Sequence, residues 1–118
     1  MAAPNIVNVA NIMATSGYLT ASNVMSNIAI NSIGSNTVVK INTVLVTNYS
    51  SATISANVDV FRSGSGYLMA GGISVPANST LVVSGKDTAF YLIEGDSLRG
   101  NASSNSVAYI SSSYEIIS

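Results

Sequence analysis

Apolar and polar residues alternate along much of this chain with a period of two. That spacing places one face of a β-strand against a core and the other against water. Val39, Ile41, Thr43 and Leu45 fall on one side of a run whose other side carries Lys40 and Asn42. Ile54, Ala56, Val58 and Val60 alternate with Ser55, Asn57, Asp59 and Phe61, and Val24, Ser26, Ile28 and Ile30 repeat the pattern less cleanly. Turn-forming segments separate the runs: Asn48-Tyr49-Ser50-Ser51, Ser63-Gly64-Ser65-Gly66, Pro76-Ala77-Asn78-Ser79, Ser84-Gly85-Lys86-Asp87 and Glu94-Gly95-Asp96. The pattern predicts strands near 5–9, 24–31, 37–48, 52–62, 67–75, 79–84, 89–94, 97–102 and 106–116. Residues 10–23 fit a strand, a loop or an arm equally well.

Short strands at spacings near ten residues, with turns between them, describe an all-β protein. The expected fold is an antiparallel β-sandwich, Ig-like or jelly-roll-like, in one domain over 1–118, with residues 1–12 as an N-terminal arm or edge strand. Composition agrees. Val and Ile number 13 and 12 against six Leu, two Glu and two Lys, so β-branched residues outnumber good helix formers.

Charge changes the picture more than length does. Only nine of 118 side chains are charged: Lys40, Arg62, Lys86, Arg99, Asp59, Asp87, Glu94, Asp96 and Glu115. That is 8% of the chain, where a soluble domain averages about 25%. Ser, Asn and Thr supply 42 residues and keep the polar faces hydrated without ions. Such a surface is cheaper to desolvate than a charged one, which fits a subunit of an assembly better than a freely diffusing enzyme. A net charge of −1 without a basic cluster argues against nucleic-acid binding. Apolar runs only a few residues long argue against a transmembrane helix, and the opening MAAPNIVNVANIM does not read as a signal peptide.

Chemistry is sparse. Cys, His, Trp and Gln are absent, so disulfides, zinc sites and Cys- or His-based catalytic centres are excluded. Ser63-Gly64-Ser65-Gly66 lacks the lysine of a phosphate loop and reads as a hairpin turn. Glu94, Asp96 and Ser97 offer too few oxygens for calcium, and a solvated turn with Asp96 or Glu94 paired to Arg99 is expected. Ser84 and Lys86 are the one closely spaced Ser/Lys pair, and the turn around Lys86 is expected to expose the amine. Tyr67, Tyr91, Tyr109 and Tyr114 lie in strand-like runs, where stacking on a sugar competes with partial burial as an explanation. No catalytic residue, cofactor or metal is expected, and the chain reads as a non-enzyme.

From Lys40 onward the segments VVKINTVLVTNYSSATISANVDVFR, YLMAGGISVPANSTLVV, KDTAFYLIEGDSLRGNAS and the terminal SYEIIS follow in an order that resembles a family. So does the opening MAAPNIVNVANI. The chain is similar to small virion structural proteins of tailed bacteriophages, chiefly those of marine cyanobacteria. The resemblance is carried by Lys40-Ile41-Asn42, Val75-Pro76-Ala77, Tyr91-Leu92, Glu94-Gly95-Asp96-Ser97-Leu98 and Ser113-Tyr114-Glu115 taken together. It implies a non-catalytic virion component, with capsid decoration or cement as the leading role on the outer capsid surface. Neck, tail or fibre attachment and an exposed glycan- or host-surface-binding module are the alternatives. The partners implied are the major capsid protein or other virion proteins and further copies of the chain, with a trimer preferred. Neither nucleic acid nor membrane is among them.

Overall fold

In a computed structural model that describes residues 11–105 and 107–118, apart from the Lys86 side chain, nine strands form two antiparallel sheets packed face to face. They are β1 (Ile12–Thr20), β2 (Ser26–Ile30), β3 (Val38–Asn48), β4 (Ile54–Arg62), β5 (Ser65–Val75), β6 (Ser79–Ser84), β7 (Phe90–Leu92), β8 (Ser97–Ala102) and β9 (Ala108–Ile117). The first sheet runs β1-β9-β3-β6, with β7 also on β3, and the second runs β2-β8-β4-β5. The strand expected near 5–9, and most of the arm expected over 1–12, lie outside the described residues. The ambiguous 10–23 segment is a strand over most of its length.

The pairing is that of a jelly roll. β6 lies beside Val44 to Asn48 of β3 and β7 beside Val39 to Ile41, so the two act as one interrupted strand. With that merger the chain wraps in nested pairs, first with last (β1·β9), then β2·β8, then β3·β6/β7, closing on the hairpin β4·β5. Nested hairpins folded over once give the two Greek keys of a jelly roll, which settles the Ig-like alternative. The hairpin turns on Ser63 and Gly64, both at positive φ (52° and 80°), between directly paired Arg62 and Ser65. A two-residue loop of that handedness matches the strand twist, as the Ser63-Gly64-Ser65-Gly66 segment suggested. β5 ends at Val75, where Pro76 removes the next ladder donor.

Alternation places the core. Val39, Ile41, Val44 and Val46 of β3 face Ala56 and Val58 of β4, Leu98 and Ala102 of β8, and Ala108 and Ile110 of β9. The sheets approach most closely at Gly100, where a Cβ would stand 2.5 Å from Ile110 Cδ1. Two buried asparagines fasten loops to this core. Asn31 Nδ2 donates to Thr37 O and Leu92 O, while its Oδ1 accepts from Ser35 and Thr37 hydroxyls. Asn48, wholly buried, does the same for the turn after β3 and the corner at Pro76.

Ser112 on the inner face of β9 is the exception, a buried hydroxyl whose Oγ has no hydrogen-bond partner. An unpaired buried hydroxyl carries its desolvation cost without return. Ser112→Ala is therefore expected to leave stability unchanged or raise it by up to ~1 kcal/mol. A thermal melt checks this, and a clear loss would show that the hydroxyl is bonded after all.

Candidate functional site: ion pairs, a cleft and a charge-free flank

The few charges are mostly turned inward to one another. β4 and β8 pair in a register that sets Asp59 opposite Arg99. Carried one residue past Phe61 and Ser97, the same register sets Arg62 against Asp96. Both are two-pronged. Arg62 Nε and Nη2 reach the Asp96 carboxylate at 3.0 and 2.6 Å, and Arg99 Nε donates to Asp59 Oδ1 at 2.9 Å. Arg99 also lies 4.3 Å over the Phe61 ring, a cation–π contact. The expected pairing of the 94–96 turn with Arg99 is thus corrected. Alternation along β8 puts residues 96 and 99 on opposite faces, so Asp96 meets Arg62 and Arg99 meets Asp59.

Asp96 further accepts from Ile93 N–H at 2.9 Å, and Glu94 accepts from Asn36 N–H at 3.0 Å. These carboxylates brace a turn. Hydrogen bonding to Asp96 holds the Arg62 guanidinium above its usual pKa, and Asp59 does the same for Arg99. A raised arginine pKa contributes stability that is lost only as pH climbs through that value. Neither arginine therefore introduces pH dependence at neutral or acid pH.

Gly66 on β5 leaves room for the second pair. A Cβ there would fall on the Asp59 carboxylate and stand 2.7 Å from Arg99 Nη2. Gly66→Ala is expected to cost about 1–3 kcal/mol by prising Asp59 from Arg99. Urea denaturation reads the loss, and an unchanged midpoint would mean the pair relaxes freely.

The other sequence candidates stay apart. Ser84 Oγ is buried and within hydrogen-bond distance of Thr88 O and Oγ1, a structural use of the hydroxyl. The Lys86 side chain lies outside the described part of the structure. Among the described residues no three acidic side chains gather as a metal cluster would require. Of the tyrosines expected to be partly buried, only Tyr114 packs against the core; Tyr67, Tyr91 and Tyr109 are exposed, which corrects that expectation. Tyr109 stacks on Tyr49 with centroids 4.7 Å apart and takes the edge of Tyr18 at 6.4 Å, forming a row on the outer face of the first sheet. Between the sheets, at the β4–β5 and β7 side, a cleft of about 560 Å³ is lined by Val60, Arg62, Tyr67, Met69, Thr88, Phe90 and Tyr91.

The most distinctive surface is a flank that sequence reasoning passed over. β1 and β2 are the edge strands of their sheets and lie on the same side of the sandwich, with a Gly17 Cβ position only 3.1 Å from Ile28 O. Ile12, Met13 and Tyr18 on β1 and Val24 and Ile30 at β2 are each more than half exposed. No charged residue precedes Lys40 in the sequence, so the flank has none of its own. The signal that could have found it is the distribution of the nine charges, all from position 40 onward. Such a surface has the chemistry of an association face. In comparisons with protein-family models and with curated proteins, nothing matches the chain.

Proposed function

We propose that the chain is a non-enzymatic structural subunit of a tailed-phage particle, a capsid decoration or cement protein that binds between shell subunits and to copies of itself. The observation that carries the association half of this reading is the charge-free flank of β1 and β2, with large apolar side chains exposed in a chain that has few charges anywhere. Surfaces of this kind lose little on desolvation and gain on burial. The phage half rests on the resemblance of the segments from Lys40 to Glu115 and of the opening residues. The jelly roll suits both halves, being a scaffold of capsid and lectin domains alike, although a fold alone assigns no role.

The tyrosine row would favour glycan binding if its ring faces were free. Tyr49 and Tyr109 cover one face of each other, which leaves the structural reading stronger. Quantitative mass spectrometry of purified particles tests the proposal. A cement protein is present in hundreds of copies, set by the number of shell sites. A few copies per particle would move the protein to the neck, tail or fibres, and none would refute the virion reading.

A further inference from the structure

Of the four sheet edges, only one is unguarded. β5 carries two register breaks against β4 and a Gly72 at φ +62°, and β2 has a bulge after Asn27. β6 is six residues long with a break of its own at the Val44–Leu45 step of its partner. Bulges, shortness and kinks are how proteins keep sheet edges from pairing. β1 has none of them. It runs nine residues in unbroken register with β9, from Ile12 opposite Ile117 to Thr20 opposite Tyr109. Its sequence IMATSGYLT contains no charge and no proline. Among the described residues, no strand pairs with its other side.

The hydrogen-bond parity of that edge follows from its two ends. Asn11 and Ser118 exchange both main-chain bonds, at 3.0 and 2.9 Å, and Ala21 N–H donates to Ala108 O. Odd-numbered residues of β1 therefore bond to β9, and the even-numbered Ile12, Ala14, Ser16, Tyr18 and Thr20 aim N–H and C=O outward. These five are symmetric about Ser16. An antiparallel copy turned about a two-fold axis at Ser16 sets Ser16 opposite Ser16, Ala14 opposite Tyr18 and Ile12 opposite Thr20. Every outward amide then meets an outward carbonyl. The same register sets exposed Met13 against Leu19 of the other copy on the inner face.

We propose that two copies of this chain join β1 to β1 in this register, making one continuous eight-stranded sheet across a two-fold axis. The occupant is a second copy because the edge is complementary to itself: its donors and acceptors match under the two-fold, and no charge opposes another. The flank completes the contact, since Val24 and Ile30 lie on the same side. This inference rests on the association reading above and adds its geometry, including a two-fold where the sequence suggested a trimer.

The test uses the full chain. Sedimentation velocity of the unaltered protein is expected to give twice the 12.1 kDa chain mass. Ser16→Lys places two ammonium groups directly opposite each other and touches no bond to β9, so it should weaken the dimer about a hundredfold while leaving the melting temperature of the monomer intact. Ser16→Cys, in a chain with no other cysteine, should be joined to its counterpart by a short bismaleimide, and Thr15→Cys should not. A protein that associates but ignores Ser16→Lys and leaves Ser16→Cys uncrosslinked overturns the β1 pairing and spares the association reading. A trimer overturns the two-fold. A monomer overturns both.

Discussion

Asn48→Ala is expected to destabilise the protein by about 2–4 kcal/mol, the largest loss of any single polar substitution in the chain. The side chain is fully buried at the end of β3. Its Nδ2 lies 2.8 Å from Ala52 O, 3.0 Å from Val75 O and 3.1 Å from Pro76 O, while its Oδ1 accepts from both the amide and the hydroxyl of Ser50. One residue thus closes the turn between β3 and β4 and anchors the corner that ends β5. Alanine leaves the buried Val75 carbonyl without its partner and opens a hole the size of an amide. Asn48→Asp should be worse at neutral pH, because it turns a donor facing three carbonyls into an acceptor. Urea unfolding measures both, with a lower midpoint and an unchanged slope expected. A shift below about 0.5 kcal/mol would mean the loop, not Asn48, holds the corner.

The second large effect concerns association. Tyr18→Glu combined with Ile30→Glu puts charge on both strands of the flank that otherwise has none. Burying those carboxylates in an interface would cost several kcal/mol, so the dissociation constant is expected to rise at least about a hundredfold. Both side chains point to solvent in the single chain, so the melting temperature of the monomer should hardly move. Light scattering across a dilution series separates the two quantities. Unchanged association with both substitutions present would place the contact elsewhere, with the cleft between Val60 and Tyr91 as the next surface to alter.

Much of the fold could be read from alternation. The strands over 37–48, 52–62 and 97–102 were legible because each buries one face, and burial is what writes a period of two into a sequence. β1 was not, for the complementary physical reason. At the edge of its sheet it buries little of either face, so Ala14, Ser16 and Gly17 carry no alternation. The pairing order was also hidden. Which strands meet is decided by long-range register, and local patterns left the jelly roll and the Ig-like sandwich equally open.

The same limit explains the ion pairs. Arg99 lies three residues from Asp96, close in sequence but on the opposite face of β8, while the true partners Arg62 and Asp59 lie on β4. The candidate surface left a plainer trace. A stretch free of charge up to Lys40 could be seen in the sequence, and what structure added is that it becomes two neighbouring edge strands. Scarcity of charge throughout the chain would be a matter of solubility. Scarcity concentrated on one flank is a matter of where the protein binds.

The most direct test of the account is the mass of the full chain in solution. Sedimentation velocity at micromolar concentration should show an assembly of the 12.1 kDa subunit, a dimer if β1 pairs with β1. A single monomeric boundary that persists as concentration rises would contradict the claim that this surface is built for association.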